Sequence, residues 1–442
     1  MPGLSSPLRA AILALCLVAA VAAGVVAVEF VESEVTPSVG AAAAEQADRP
    51  YADRDPIAPP ANGTTVVTTQ KFRHNFIVAF DPRGRVLYFD DSLDRYHDVD
   101  PAPNGTHTVE FVGAEYDGDT THETVRRVNL TTGETATVYR HAVPRTDRPH
   151  RWHDVDRVDA DTLAVADIAR DSIFVVDTDT RERTYEWPAQ AAYDLDSGGQ
   201  FPRDWTHVND VEHLPDGRYM VSLRNQDSVV FVEPGEGLDP EWTLGDDDDY
   251  RVLNEQHNPD YIRSEGGPAV LVADSQNDRI VEYRRADGSW VRTWTWTDDA
   301  MAWPRDADRL PNGHTLVGDT NSGRVVEVDT DGEVVWAIDG LGVYDAERLP
   351  TGAGSADPAP ADRLGLETRS AARPGVDGGS APRGVAGVLP PVVRNSIGFV
   401  APLWLSGAGR VAAVVAAASG LLAGMLVAGR RVHRYRVARS EG

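Results

Sequence analysis

Short alternating runs of apolar and polar residues, separated by turns rich in Pro, Asn, Asp and Gly, fill the chain between residues 75 and 350. The stretch RVVEVDTDGEVVWAI (324–338) is typical, because an Asp-Gly pair at 331–332 lies between two such runs. Residues 280–294 (IVEYRRADGSWVRTW) repeat that frame around the Asp-Gly pair at 287–288. Asp-Gly between alternating runs is a strong hairpin signal, and helical periodicity is almost absent here. The pattern predicts an all-β domain.

One unit recurs six times in this region. Each copy continues from its first residue into a turn such as Pro-Asn-Gly or Pro-Asp-Gly, then a short β-branched strand, then a hairpin. The intervals between first residues are 56, 56, 48, 48 and 39, close to the length of one four-stranded propeller blade. We therefore expect a six-bladed β-propeller in which the first residues of the copies are His97, His153, Asn209, His257, Arg305 and Tyr344.

The two ends of the repeat region complement each other. Residues 76–89 (FIVAFDPRGRVLYF) have the pattern of a blade's outer hairpin without its inner strands, whereas the last copy has inner strands without a hairpin. Joining them removes the exposed edges that an open ring would leave. The sequence predicts that this N-terminal hairpin closes the ring beside the strand at 344–349.

Apolar runs flank the repeats on both sides. Residues 10–28 carry no charge, which suits a signal peptide or an uncleaved anchor. A second run at 411–429 is followed by the arginines Arg430, Arg431, Arg434, Arg436 and Arg439. Arginines next to a membrane span stay in the cytoplasm, so we expect a cell-membrane protein with its propeller on the extracellular side.

These patterns fix the expected domain boundaries. In chain order they are a signal peptide or N-terminal transmembrane anchor at 1–30, a linker at 31–74, the propeller at 75–372, a linker at 373–395, an interfacial segment and transmembrane helix at 396–432, and a basic cytoplasmic tail at 433–442.

Composition excludes several classes of function. The formal net charge is −27, from 69 acidic against 42 basic residues, so the surface repels nucleic acid. Such a surface stays hydrated in concentrated salt, which predicts a halophilic source. The only cysteine, Cys16, lies in the first apolar run, which excludes a disulfide framework and a thiolate metal site in the propeller.

The first residues of the six copies are the candidate site. In a propeller the inner strand of every blade starts at one mouth of the central channel, so these side chains converge there. Imidazoles, a guanidinium, an amide and a phenol form a polar, partly cationic set suited to an anion or a polar aromatic ligand. His207, two residues before Asn209, should face the same way. Channel mouths are also polar simply because water fills them.

An aspartate follows the first residue in five of the copies. Five near-identical positions indicate a repeated architectural task, and we expect hydrogen bonds from these carboxylates to loop amides of neighbouring blades. The residues concerned are Asp98, Asp154, Asp210, Asp306 and Asp345. Two arginines, Arg279 and Arg324, repeat in the loops after the second strands. We expect a structural role for Arg324, whereas Arg279 could reach the pocket.

Several stretches resemble the arylsulfotransferase (ASST) family over roughly residues 75–350. They are WTHVND (205–210), SLRNQDS (222–228), QHN (256–258), WPRD (303–306) and PNGHTLV (311–317). The resemblance implies a six-bladed propeller outside the cytoplasm that moves a sulfuryl group from an aryl sulfate to a phenol through a sulfated histidine. It departs from the family in having only about 45 residues before the first hairpin, in its membrane anchors, and in Arg305 at the fifth-copy position.

The resemblance also assigns residues to roles. His207 and His257 would be catalytic, with Asn209 and Arg279 as donors to the sulfuryl oxygens. The implied substrate-binding residues are His153, His97, Arg305, Tyr344 and Asn258. A neutral imidazole is a competent nucleophile at neutral pH, and fixed donors can hold the sulfuryl oxygens. The expected partners are an aryl sulfate donor, a phenolic acceptor and the membrane, with no nucleic acid, no cofactor and no metal.

Two other functions fit the same pattern. One is a non-catalytic, membrane-anchored propeller that binds a polar ligand or another protein. The other is a metal-dependent hydrolase or lyase, because converging imidazoles can hold zinc or calcium and propellers carry many activities.

Overall fold

Six antiparallel sheets make up most of the molecule. The computed structural model describes residues 6–35, 38–71, 74–102, 105–145, 152–349, 359–369 and 391–440. Most of the predicted linker at 373–395 and the last two residues of the predicted tail lie outside these ranges. The inner strands of neighbouring sheets contact one another in a closed circuit, so the predicted six-bladed β-propeller is confirmed.

Blades 2 to 6 are each formed by consecutive strands that run from the inside outwards. Blade 2 is Arg95–Pro101 (β4), Thr108–Asp117 (β5), Thr120–Asn129 (β6) and Thr135–Pro144 (β7). Blade 3 is Trp152–Arg157 (β8), Thr162–Asp167 (β9), Ser172–Asp177 (β10) and Arg183–Pro188 (β11). Blade 4 is Val208–His213 (β12), Tyr219–Leu223 (β13), Ser228–Glu233 (β14), Gly237–Leu238 (β15) and Leu244–Gly245 (β16). Blade 5 is His257–Ile262 (β17), Ala269–Asp274 (β18), Arg279–Ala286 (β19) and Ser289–Trp296 (β20). Blade 6 is Pro304–Arg309 (β21), Thr315–Asp319 (β22), Arg324–Val328 (β23) and Val334–Asp339 (β24).

Blade 1 joins the two ends of the propeller chain. Its strands, from the inside outwards, are Val343–Leu349 (β25), Thr64–Lys71 (β1), His74–Phe80 (β2) and Val86–Asp90 (β3). The predicted hairpin is present as β2 and β3. It does not pair with the C-terminal strand as expected, because β1 lies between them. The first strand of the propeller, β1, therefore lies inside the predicted linker at 31–74, which also contains the helix Val39–Ala47 (α2).

The core lies between the blades rather than in one central mass. On β9, Leu163 and Val165 pack in the cluster shared by blades 2 and 3, whereas Ala164 and Ala166 pack in the cluster shared by blades 3 and 4. All four side chains are fully buried. A strand covered on both faces is apolar at every position, which explains the continuous run TLAVA.

A β-bulge interrupts the inner strand of every blade at the repeated first residues. In blades 3, 4, 6 and 1 the extra residue is His153, Asn209, Arg305 or Tyr344 itself. In blade 2 the bulge contains His97 and Asp98, and in blade 5 it falls one position later, on Asn258 and Pro259. A bulge breaks the alternation of side chains and re-aims the extra residue. Consecutive residues of one strand can therefore both face the channel.

Carboxylates of one blade accept hydrogen bonds from backbone amides of the next. Asp154 accepts from Val211 N at 2.6 Å, and Asp345 accepts from Val99 N at 2.7 Å. Asp306 accepts from the amide of the residue after Asp345 at 3.1 Å. Asp154, Asp306 and Asp345 therefore link neighbouring blades as predicted, but the amides that donate to them belong to inner strands and not to loops.

The described residues of the two terminal segments, 6–35 and 391–440, belong to a separate helical unit. Its helices are Ser6–Val35 (α1), Pro391–Val400 (α4) and Gly407–Ser440 (α5). The stretches Leu8–Ser33 and Gly407–Gly429 are long and apolar enough to cross a membrane. Within the unit, Glu29 accepts hydrogen bonds from Ser406 N at 2.9 Å and Ser406 Oγ at 2.7 Å.

A short helix, Ala361–Leu364 (α3), packs on blade 5, where Ala361 N donates to Glu282.

Candidate functional site

Side chains of the repeated first residues meet at one end of the channel. The rings of His97 and His153 stack with centroids 4.7 Å apart, and the Tyr344 ring stands edge-on to them at 5.0 and 6.0 Å. His207 joins the group through an edge contact with His153 at 5.4 Å. Residues from blades 1, 2 and 3 and from the loop that enters blade 4 thus form one aromatic and imidazole cluster, as the repeat alignment predicts.

Gln70 of β1 connects the cluster to blade 6. Its side-chain Nε2 lies 2.7 Å from His97 Nε2, and its Oε1 accepts from Arg305 Nη1 at 3.0 Å. Because an amide nitrogen only donates, His97 Nε2 accepts this bond and its proton resides on Nδ1. The Nε2 lone pair of His97 is therefore already engaged.

His257 has the opposite arrangement of hydrogen bonds. Its Nδ1 lies 2.8 Å from Ser275 Oγ, and that hydroxyl donates to the carbonyl of Pro304 at 2.6 Å. The hydroxyl proton is used on the carbonyl, so His257 Nδ1 donates to the serine and Nε2 keeps its lone pair. Burial, followed by the charges of Arg305 and Arg224, lowers the pKa of His257 well below its usual value. This imidazole is neutral at neutral pH, with its basic nitrogen at Nε2.

His207 is held by a carboxylate instead of a hydroxyl. Its Nδ1 donates to Asp204 Oδ1 at 2.5 Å, and Arg224 Nη2 donates to the other oxygen of Asp204 at 3.2 Å. Burial and then the charge of Arg224 lower the pKa of His207 to about 3, against the opposing effect of Asp204. The contact is therefore a hydrogen bond from a neutral ring, and Nε2 is again the basic nitrogen.

The loop that carries His207 has equivalents in blades 5 and 6. His207, Glu255 and Trp303 each lie two residues before a repeated first residue, and all three have positive φ angles, of 52°, 48° and 55°. Asp227 accepts from Glu255 N at 2.8 Å and Asp278 accepts from Trp303 N at 3.0 Å. This conformation is part of the repeat architecture, not strain confined to one site.

Two guanidinium groups supply positive charge. Arg305 is buried and lies 5.2 Å from the centre of the Tyr344 ring, and burial lowers its pKa to about 10, which leaves it charged at neutral pH. Arg224 lies at the solvent edge with Asp204, their side chains being 15% and 47% exposed. Tyr344 keeps its proton, because burial raises its pKa well above the usual value.

Asn209 has a supporting place beside this site. It is fully buried, and its Nδ2 donates to the carbonyl of Gln256 at 3.0 Å. The bond links blade 4 to the residue that precedes His257. Asn209 therefore fixes the segment that presents the second imidazole, and one amide proton is committed to this task.

Arg279 forms an ion pair with an aspartate of its own blade and hydrogen bonds to carbonyls of the preceding loop. Its Nε donates to Asp274 at 2.6 Å, and its Nη2 donates to the carbonyls of Arg251 and Val252, both at 2.9 Å. Arg324 pairs with Asp319 in the same way in blade 6, at 2.9 Å. The alignment predicted a structural role for Arg324 only, and the contacts place Arg279 in the same role.

Asn258 lies in a different part of the channel. Together with acidic side chains it lines a cavity of 240 Å³ that contains none of the imidazoles of the cluster. This position gives no support to the prediction that Asn258 contacts a substrate bound at the imidazoles.

Four residues of the site were not identified from the sequence. They are Gln70, Asp204, Arg224 and Ser275. One signal was available, since Arg224, Ser275 and Thr320 follow the second strands of blades 4, 5 and 6. Thr320 Oγ1 donates to Val343 O at 2.8 Å, as Ser275 does to Pro304 O. Gln70 and Asp204 could not be found in this way, because their places depend on how the loops and the closing blade meet in space.

A metal site built from these imidazoles is not preassembled. Across the described ranges, one group of three His, Cys, Asp or Glu side chains brings its ligand atoms within 4.8 Å of one another, and it is Asp227, Asp247 and Asp248 on the loops of blade 4. The imidazole cluster therefore gives no support to the metal-dependent alternative.

Solved structures with similar folds have little sequence in common with this chain. A protein of unknown function from Bacteroides caccae is 13% identical with a TM-score of 0.46, covering 66% of this chain and 100% of that chain. A catalytically inactive virginiamycin B lyase from Staphylococcus aureus is 8% identical with a TM-score of 0.39, covering 64% and 87%. A functionally unknown protein from Desulfotomaculum acetoxidans is 12% identical with a TM-score of 0.41, covering 68% and 89%. Likenesses at this level say nothing about activity.

No curated protein matches the chain. The sequence model of one family does match, over residues 44–257, a little under half of the chain. The matched segment contains β1 and blades 2 to 4 and ends at His257, so it includes His97, His153, His207 and Asn209. The match confirms the resemblance found in the sequence: this six-bladed propeller is similar to the family described as Arylsulfotransferase (ASST).

Proposed function

We propose that the protein transfers a sulfuryl group from an aryl sulfate to a phenol through a sulfated His257. The observation that carries the proposal is the state of this imidazole. Ser275 accepts a hydrogen bond from the protonated Nδ1, so the lone pair is on Nε2, and the low pKa keeps the ring neutral. The nucleophile needs no separate base, because it is already deprotonated at the attacking atom.

In the first step, His257 Nε2 attacks the sulfur of the aryl sulfate. The N–S bond forms, the S–O bond to the aryl group breaks, and the phenolate leaves with the electron pair. Arg305 and Arg224 hold the sulfuryl oxygens and the departing phenolate, since both charges act on His257. Fixed cations of this kind stabilise charge as it develops and require no rearrangement.

In the second step, the acceptor phenol attacks the same sulfur. His207 Nε2 takes the phenolic proton while the N–S bond breaks and His257 returns to its neutral form. The Asp204 carboxylate accepts a hydrogen bond from His207 Nδ1 and stabilises the imidazolium formed in this step, which then releases the phenolic proton to solvent. This pairing orients a general base in the way that a carboxylate orients a catalytic histidine elsewhere.

Aromatic side chains next to the cluster suit an aryl substrate. The Trp303 ring stands edge-on to His257 at 5.8 Å, and its indole nitrogen has no hydrogen-bond partner among the described residues. The Tyr344 hydroxyl is likewise buried without a partner in the described part of the chain. An aryl ring against Trp303 and a phenolic oxygen near Tyr344 would use both groups.

The test is incubation of the full chain with a chromogenic aryl sulfate, with and without a phenol acceptor. We expect phenol release that requires the acceptor for turnover, and a sulfated peptide containing His257 in samples quenched without acceptor. The variant His257→Gln should lose both signals, whereas His97→Gln should retain the sulfated peptide. Binding of the aryl sulfate without transfer by folded protein would instead support a non-catalytic propeller.

We also propose that the two apolar helices anchor the protein with the propeller on the extracellular side. The support is the group of arginines that follows the second span, because such residues stay on the cytoplasmic side. Protease added to intact cells should remove the propeller and leave a protected fragment that contains residues 430–440. Protection of the propeller in intact cells would overturn the proposed orientation.

A further inference from the structure

Acidic residues are the majority of those that line the central channel next to the imidazole cluster. Its cavity of 240 Å³ is surrounded by two rings of side chains, each with one residue from every blade. The first ring is Asp98, Asp154, Asp210, Asn258, Asp306 and Asp345. The second ring is Asp100, Asp156, Glu212, Asp260, Asp308 and Glu347. Eleven carboxyl groups thus line one cavity.

Few cations compensate for these acids. Arg157 and Arg263 are the arginines of the lining, and Arg157 is engaged with Glu110, to which it donates at 2.8 Å. Some carboxylates are satisfied by the next blade, as Asp156 is by His213 N at 2.5 Å and Glu212 by Tyr261 N at 2.9 Å. These bonds occupy single oxygens and leave the negative charge in the channel.

Two carboxylates in the channel have an oxygen with no partner at all in the described part of the chain. They are Asp210, at Oδ1, and Asp308, at Oδ2, and the two residues are only 8% and 9% exposed. The amide oxygen Oδ1 of Asn258, in the first ring, is also without a partner among the described residues. Buried polar oxygens normally have partners, so these three indicate that something else fills the cavity.

We propose that this channel binds a hydrated divalent cation, held through its water shell by the two rings. Oxygen-only ligands are those that Mg²⁺ and Ca²⁺ prefer, and Mg²⁺ keeps several of its waters when it binds. Within the described ranges, no three channel carboxylates bring their oxygens within 4.8 Å of one another. The carboxylate oxygens are therefore too far apart to ligate a bare ion directly, whereas the cavity has room for an ion together with its water shell.

Protons are the competing occupants. Burial, followed by mutual repulsion, raises the pKa of Asp98, Asp210 and Asp308 well above the usual value, and burial raises that of Asp154 to about 7. Asp98 also shares a hydrogen bond with Asp154.

The test uses the full chain in a non-ionic detergent at about pH 8, after treatment with a chelator and dialysis into low salt. The thermal unfolding midpoint is followed by tryptophan fluorescence while MgCl₂ or CaCl₂ is added, with NaCl at equal ionic strength as the control. We expect a saturable rise with the divalent salts that NaCl does not reproduce. The variants Asp210→Asn and Asp308→Asn should be more stable without the cation, and should lose most of the cation-dependent rise.

Two further variants locate the effect. Asp179→Asn changes an exposed carboxylate away from the channel and should behave like the native chain. Asp248→Asn alters the acidic group on the loops of blade 4, and removal of the cation effect by this change would overturn the proposal. Equal responses to NaCl and to divalent salts, or a native response from the double variant Asp210→Asn and Asp308→Asn, would also overturn it.

Discussion

At the scale of single residues, hydrogen-bond partners decide which imidazole can react. His97 has its Nε2 lone pair engaged by Gln70, whereas the partners of His257 and His207 accept hydrogen bonds from Nδ1. The three rings therefore differ in whether Nε2 has a free lone pair. Their hydrogen bonds, and not their places in the repeat, distinguish them.

The hydroxyl of Ser275 is expected to be a positioning group. Ser275→Ala leaves the Nδ1 proton of His257 without its acceptor, so the ring can adopt the other tautomer or rotate. We expect kcat to fall at least about tenfold, which corresponds to roughly 1.4 kcal/mol of barrier, with rescue by Ser275→Thr. Thr320→Ala removes the equivalent loop hydroxyl of blade 6, which holds no imidazole. An equal loss of kcat in that control would contradict the assignment.

The two arginines Arg224 and Arg279 should respond in opposite ways. Arg224→Gln removes a cation from the edge of the site, and we expect kcat to fall about 10²-fold with little change in unfolding. Arg279→Gln leaves the buried Asp274 without its partner and should cost about 3–5 kcal/mol of folding free energy, with kcat of the folded fraction retained. Steady-state kinetics and denaturant unfolding of both variants check this, and a kinetic defect in Arg279→Gln alone would reverse the assignment.

The pH dependence of transfer follows from the lowered pKa values of His207 and His257. Because both rings stay neutral far below the usual pKa of histidine, kcat/KM should not fall between about pH 8 and about pH 5. The same shifts have a cost in stability. Below about pH 6.5 these two histidines are protonated in the unfolded chain but stay neutral in the folded protein. Proton binding therefore favours the unfolded state, and the two groups lower the free energy of unfolding as the pH falls. A rate profile with a midpoint near the ordinary histidine value would contradict this expectation.

The residues of the site that repeat in sequence could be predicted, and those that do not repeat could not. His153, Arg305 and Tyr344 were found because five other copies define their position. Gln70 is part of a strand that was not recognised, and the sequence does not show that Asp204 pairs with His207. Arg279 was misjudged because its partner Asp274 lies five residues away, and the sequence does not show that they pair.

At the scale of strands and loops, bulges and carboxylate contacts between blades set the geometry of the site. The bulges place first residues toward the channel, and acids of one blade hold the loops of the next. The bulges could not be predicted, because the inner strands keep an acidic, irregular pattern. Strand Thr64–Lys71 was missed for a related reason: TTVVTTQK is mostly polar by composition, yet it is buried between two neighbouring strands.

Asp171 provides a test of the contacts between blades. Its Oδ1 accepts from both Thr206 N, at 3.0 Å, and Thr206 Oγ1, at 2.7 Å, next to the loop of His207. Asp171→Ala leaves two buried donors without an acceptor, so we expect a loss of about 1–3 kcal/mol in unfolding free energy. The exposed matched variant Asp179→Ala should stay within about 0.5 kcal/mol of the native chain. Equal stability of both variants would show that this contact contributes nothing.

At the scale of the whole molecule, stability depends on blade 1, which joins the ends of the propeller chain. Val67 of β1 and Ala346 of β25 lie opposite each other in the register. Opposed residues in antiparallel strands have Cβ atoms close enough for a disulfide, and Cys16 is the only native thiol. The double variant Val67→Cys and Ala346→Cys should gain about 2–4 kcal/mol when oxidised, measured by denaturant unfolding against the reduced protein. No difference between the two forms would mean that separation of these strands does not limit unfolding.

The pairing of β25 with β1 also has a consequence for how the chain matures. A ribosome delivers residues 64–71 long before residues 343–349, so blade 1 stays incomplete until almost the entire propeller sequence has been synthesised. During that interval the inner edge of β1 exposes unsatisfied backbone groups that can pair with a strand of another nascent polypeptide. We therefore expect a truncation just before Val343, which leaves that edge permanently unpaired, to accumulate as aggregate rather than as folded protein.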